Sequence, residues 1–532
     1  MGVCAEDAMK KLALLVLLPG ILALSAAAAD EEPGFVHPYE RGTGFARANP
    51  LDACVLAELE RRGIEPANPC SDAVFLRRAY VDVIGTLPEP AETRRFLLDR
   101  EPGKRARLID TLLEREEFVD FWALKWGDLL RVKAEFPINL WPNGVQAYHR
   151  WIREAVRTNM PYDRFVRALL TSSGSNFRVP PVNFYRAVQS RTPEAIAEAV
   201  GLTFMGTRLE HWSPERRAGM AAFFSRIVYK KTAEWKEEVV IQDPAPAGPV
   251  EATFPDGTKV TIGSDDDPRY VFADWLLEPG NPWFTQNIAN RVWSWLLGRG
   301  VVHPADDLRP DNPPANPALL LCLERELVRS GYDLKHLFRF ILTSRTYQGS
   351  SIPRSDHPEA AAVFAHYPVR RLDAEVLVDA LCRLDGRGES YVSIVPEPFT
   401  FLTNMQRTIR LSDGTITSPF LEMFGRPARD TGLESERNVE PTDAQRLFLL
   451  NSTDVQQRIQ RSPWLRQLAS RARKKPLSCI RPVYQAILSR DPTQAELSVA
   501  TAYLSKPGRD PRDGVLDLAW ALINSKEFLF RH

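Results

Sequence analysis

The chain has 532 residues, 44% of them hydrophobic and 26% charged, with Lys+Arg and Asp+Glu equal at 68 each. This is the composition of a globular protein able to bury a large core, and the length suits two to four domains. The balanced charge and the lack of a long basic stretch give no reason to expect nucleic acid or an anionic membrane as partner.

Lys10 and Lys11 precede an apolar run at 12–24 and small residues from Ser25 to Ala29, the pattern of a signal peptide cleaved near Ala29. The run contains Pro19 and Gly20 and has 13 residues, whereas a spanning helix needs about 20. The expected product is secreted or periplasmic, with no membrane span after cleavage. Met9 reads as an alternative start, which leaves Cys4 outside the chain.

A flexible lead at 30–50 is followed by helical periodicity at 51–62, stopped by Gly63. One helix ends before Gly85 and another follows Pro88; further helices are expected at 105–114, 118–132, 143–158, 162–172 and 194–204. Residues 51–236 thus form a helical domain. At 237–263 β-branched runs alternate with Pro-rich and Pro-Asp-Gly-Thr turns, which reads as a small β insertion or hairpin, with 237–267 as insertion and linker. Asp265, Asp266 and Asp267 close it as a solvated loop; calcium binding would need several spaced oxygen ligands.

Helical texture resumes in a second domain, 268–532, interrupted by a Pro- and Asp-rich connector at 303–317 and a less periodic stretch at 391–441. Helices are expected at 319–330, 334–343, 444–459, 479–489, 494–505 and 514–528. The fold class is mainly α, a multi-helical two-domain protein with a small β insertion.

Cys54, Cys70, Cys322, Cys382 and Cys479 show no CxxC and no metal-type spacing. They read as small buried hydrophobes, with a Cys54–Cys70 bridge as the alternative that export permits. The eight histidines are dispersed, which argues against zinc. There is no GxGxxG, Walker loop, GxSxG or HExxH.

The blocks "FLRRAYVDVIGTLPEPAETRRFLLD", "RARLIDTLLEREEFVDFWALKWGDLLRV" and "MAAFFSRI" resemble a planctomycete cytochrome-like domain. "NPWFTQNIANRVWSWLLGRGVVHPADDLRPDNPPANPALL", "GYDLKHLFRFILTSRTYQGSS", "FGRPARD" and "ALINSKEFLFRH" resemble a planctomycete-specific C-terminal domain that accompanies it. Both are domains of unknown function in secreted planctomycete and verrucomicrobial proteins. The resemblance implies a Cys-x-x-Cys-His haem attachment shortly before the Ala-Ala-Phe-Phe stretch. Here Arg208-Leu209-Glu210 passes directly to His211-Trp212, and no cysteine lies between Cys70 and Cys322. A second departure follows the Phe-Gly-Arg-Pro motif, where Leu433 and Ser435 stand where the family often has cysteines. The expectation is a haem motif lost and no cofactor.

Asp306, Asp307 and Asn312 form the densest polar cluster beside a block that carries the resemblance, and Arg291, Trp293 and Arg299 precede it at near-helical spacing. Their two readings are core packing with salt-bridged connectors, and a candidate binding surface. No catalytic or metal residue is assigned. The expected function is an exported binding or assembly protein of unknown ligand, more plausibly a non-enzyme. The alternative is an extracellular polysaccharide hydrolase with an unrecognised carboxylate pair. Partners implied by the resemblance are a secreted sulfatase-like protein or a cell-surface glycan.

Overall fold

A computed structural model describes residues 38–42, 48–245, 248–400, 402–403, 405–472, 475, 477–508 and 510–532. The expected signal peptide and most of the expected lead lie outside the described residues. Among the described residues the protein is mainly helical with three small sheets, and no helix is long and apolar enough to cross a membrane.

The helix boundaries follow local chemistry. Asn49 and Asp52 form a capping box at the start of Pro50–Arg62, and Gly63 ends it at φ 67°. Gly85 ends Asp72–Ile84 in the same left-handed way; a Cβ there would lie 2.5 Å from the Phe121 ring, so the close approach of Glu116–Leu129 requires glycine.

Three departures from the sequence reading are instructive. The helix expected at 194–204 is α-helical only over Pro193–Val200 and then widens into a π-turn, Gly201–Met205, where Leu209 packs so tightly that a Cβ on Gly201 would meet it at 2.2 Å. The helix expected at 444–459 breaks at Ser452, whose hydroxyl caps a second helix, Thr453–Arg461. Ala374–Asp385 lies in a stretch left unassigned although Glu375, Asp379 and Arg383 recur at helical spacing; Glu375 and Asp379 are buried on Arg437 and on the Thr408 and Ile409 N–H groups, so this stripe faces protein partners.

The β insertion is present as expected. Glu238–Gln242 pairs antiparallel with Ile227–Lys231 on one side and Gly174–Ser175 on the other, and Val250–Thr253 forms a hairpin with Lys259–Ile262. Asp267 caps Pro268–Leu276 and is clamped by Arg269, which gives the last of the three acids a structural role.

The two halves share one interior. Asp82 accepts hydrogen bonds from Tyr347 (2.9 Å), Tyr367 (2.8 Å), Arg370 (3.2 Å) and Arg531 (2.7 Å). Arg370–Arg371 pairs as a short strand with Phe530–Arg531, which fixes Arg531 in place. Lys125 meets Asp373 at 2.8 Å, and Arg437 bridges Glu375 (2.7 Å) and Asp128 (2.6 Å). Arg429 of the Phe-Gly-Arg-Pro-Ala-Arg-Asp block, fully buried, reaches Asp128 (2.8 Å) and the Leu124 and Val132 carbonyls beside Gly127. Against the cost of burial, Lys125 and Arg531 hold the Asp373 carboxyl well below the usual range.

The cysteine pairing differs from the 54–70 alternative. All five described cysteines are free thiols. Burial and the neighbouring Cys54 thiol push Cys322 up to about 12, so the near neighbour of Cys54 is Cys322 on the packed helix Pro317–Arg329.

Candidate functional site

A cleft of about 450 Å³ opens between the turn at 206–210 and the loop at 430–433, with Ala195, Glu198 and Ala199 of Pro193–Val200 as its third wall. Its buried end is Arg131, which follows Glu116–Leu129 in the left-handed region at φ 55° and is 2% exposed. The guanidinium donates to the Ala187 carbonyl (2.6 Å) and, more weakly, to Leu129 O, Thr203 Oγ1 and Thr431 O; Nη2 has no partner. The loop passes so close that a Cβ on Gly432, at φ 77°, would lie 2.8 Å from Arg131 Nη1.

The loop is held from several sides. Glu436 accepts from both the backbone N–H and the hydroxyl of Thr431 at 2.6 Å, and Asp430 pairs with Lys133 at 2.6 Å. Asp306, 1% exposed, ties the two walls together: Oδ1 accepts from Arg208 Nη2 at 2.9 Å and Oδ2 from the Glu434 backbone N–H at 3.1 Å. Pro282–Leu297 supports the π-turn from behind, with Asn287 donating to Thr203 O and Arg291 to Leu202 O.

The sequence candidates therefore occupy two kinds of place. Trp293 is fully buried against Phe364, and Arg291 is 2% exposed, so neither offers a binding surface; both belong to the interior, where their apolar area is sequestered. Asp307 is buried beside Arg309 (3.3 Å), and Asn312 donates to the Asp307 and His303 carbonyls, closing the connector turn. Arg299 is half-buried with an unpartnered Nε. None of the six lines the cleft, yet Asp306 and Arg291 brace it. Arg131 escaped notice because its partners come from residues 187, 203 and 431; the one local signal is a lone arginine closing an apolar helix end, Leu129-Leu130-Arg131-Val132.

Two family models match the chain. Residues 50–210 match PSCyt2, a cytochrome-like protein of unknown function (DUF1549), and residues 268–504 match PSD1, a protein of unknown function (DUF1553). The chain belongs to the proteins that join these two domains. No curated protein and no solved structure matches it. The β insertion falls between the two matched segments, and the cleft is built from both: residues 131 to 210 from the PSCyt2 segment, residues 430 to 433 from the PSD1 segment.

The two segments read from the sequence as departures from a cysteine pattern meet here. Arg208, Leu209 and Glu210 line the cleft, as does Leu433; Ser435 is exposed beside it. The lining contains no cysteine, histidine or methionine. His211 is the nearest imidazole in sequence, with a side chain 42% exposed and 3.7 Å from Glu210. This donor set does not fit a covalently attached haem, which needs two thiols and an axial ligand.

Proposed function

We propose that this chain is an exported, haem-free binding protein of the PSCyt2–PSD1 type, and that its ligand occupies the cleft between residues 206–210 and 430–433. The observation that carries this reading is the convergence of both altered family segments on one pocket of ligand size. Export rests on the 10–29 leader pattern.

The hydrolase alternative calls for a cleft with a pair of carboxyls tuned for proton transfer. Burial raises the carboxyls of Asp120, Glu324, Asp379, Glu389 and Glu434, and all five lie outside the cleft lining. That distribution favours binding over hydrolysis at this site.

An absorption spectrum and iron assay on the exported protein test the haem-free part; a Soret band with stoichiometric iron overturns it. Ala195→Trp, which fills the cleft from its half-buried wall, tests the site: a ligand found by thermal-shift screening is expected to lose its effect in this variant. Screening against sulfated glycans for both retention and released product separates binder from hydrolase, since released product supports the latter.

A further inference from the structure

A second pocket, of about 260 Å³, shares no lining residue with the cleft. Its polar lining combines Gln146 of the helix Trp141–Arg157 with Gln406, Arg410 and Ser412, all of them exposed or half-buried. The formal charges here are answered in place. Arg410 Nε lies 3.2 Å from Asp120, and Asp413 Oδ1 accepts from the Ala134 and Thr415 N–H groups at 2.9 Å. His149, also in the lining, is kept neutral by burial. What is left over is neutral hydrogen-bonding capacity. Gln146 Nε2 donates to Ser412 Oγ (3.3 Å) and Gln406 Nε2 to the Arg410 carbonyl (3.2 Å), which leaves both amide oxygens and the Ser412 hydroxyl proton without a partner among the described residues.

An aromatic ladder borders this pocket. Phe399 lines it and lies 5.2 Å from Trp235, ring centre to ring centre; Trp235 lies 5.4 Å from Trp141, the residue before Pro142 of the lining. The rings come from three separate segments, and Trp235 and Phe399 are 51% and 49% exposed. Large apolar side chains standing singly on a surface are ordinary, but a row of them beside a polar pocket marks a binding face. Trp141 is held at φ 63°, an outlier for a bulky side chain, with its N–H on the Ala134 carbonyl (3.1 Å).

We propose that this face binds a neutral saccharide chain, with sugar rings on Trp235 and Phe399 and sugar hydroxyls on Gln146, Gln406 and Ser412. A sugar ring offers an apolar C–H face to an aromatic ring and hydroxyls to the amides around its edge. A lipid surface would cover the rings and leave the polar lining unpartnered, and an anion finds Arg410 already engaged by Asp120.

The test is fluorescence titration and calorimetry of the exported protein with cellohexaose, xylohexaose, mannohexaose and maltohexaose, with heparin and phosphatidylcholine vesicles as comparisons. At least one neutral hexasaccharide is expected to bind. The Trp235→Ala/Phe399→Ala variant, altered only at exposed positions, should weaken that binding by about tenfold or more, and Gln146→Ala/Gln406→Ala by a smaller factor. Ala195→Trp in the cleft should leave it unchanged. No binding by any of the four sugars, or binding that survives loss of both rings, overturns the proposal. Ring-dependent binding of heparin or vesicles without binding of the neutral sugars overturns it as well. If Ala195→Trp abolishes saccharide binding and the ring variant does not, the sugar belongs to the cleft: this inference fails and the reading of the cleft stands.

Discussion

The junction around Asp82 and the cleft around Arg131 both bury arginine, and they do so on opposite terms. At the junction four guanidinium groups meet carboxylates, Arg531 and Arg370 on Asp82, Arg437 on Glu375 and Asp128, and Arg429 on Asp128, while Arg78 and Arg371 among them bond to carbonyls. In the cleft Arg131 meets only carbonyls and a hydroxyl. Paired charge reaching across from one half of the chain to the other makes architecture, because its geometry is complete without a ligand. Arg131 is placed by the carbonyls and the hydroxyl that wrap it, not by a counter-charge.

The comparison breaks first at Asp82. Asp82→Ala strips the carboxylate from two arginines and two tyrosine hydroxyls at once, and is expected to destabilise the fold by about 3–5 kcal/mol, read by chemical denaturation. An effect below about 1 kcal/mol would mean that the junction is not the lock between the halves.

A second, smaller effect concerns an imidazole beside the same junction. Burial, with Arg429 and Arg153 nearby, pulls His149 down to about 3, and its Nε2 has no partner. The folded state therefore disfavours the charged form relative to the unfolded chain, whose imidazole titrates near 6.5. Stability is complete above that pH and declines as pH falls toward the folded value, by roughly 3 kcal/mol between pH 6.5 and 4. His149→Gln should flatten the slope of denaturation midpoint against pH over that window; an unchanged slope removes His149 as the cause.

Asp306, at 1% exposure, holds both cleft walls. Asp306→Asn keeps the shape and removes the charge that pairs Arg208. The expected cost is about 1–2 kcal/mol in stability, with weaker ligand binding in the cleft. A stability loss with binding unchanged would show that the staple serves the fold alone.

The smallest effect is a crosslink. Cys54 and Cys322 are neighbours, and a thiol held up near 12 reacts slowly at neutral pH. A mild disulfide oxidant at alkaline pH should join these two, with peptide mapping as readout. A Cys54–Cys70 product would contradict the packing of Pro50–Arg62 against Pro317–Arg329.

Much of the fold was legible because its helices are capped and amphipathic. Asn49, Gly63 and Gly85 mark their boundaries in plain sequence. Ala374–Asp385 was not recognised, although Glu375, Asp379 and Arg383 mark its period, because its polar stripe meets buried ion-pair partners from distant segments. The π-turn at Gly201–Met205 was hidden too: its shape answers to Leu209 and to Asn287 of a distant helix. The candidate site was half legible. Asp306 stood out as an acid in a dense polar connector, but its role as a staple depends on Arg208 and Glu434, which the fold alone brings to it. The family resemblance located both altered segments, and the structure adds that they face one another across a single cleft.

The most direct measurement is a crystal structure of the exported protein grown with a ligand found by thermal-shift screening. The ligand is expected in the cleft, between residues 206–210 and 430–433. A porphyrin in that space, or the ligand bound elsewhere with the cleft empty, would contradict the haem-free binding reading.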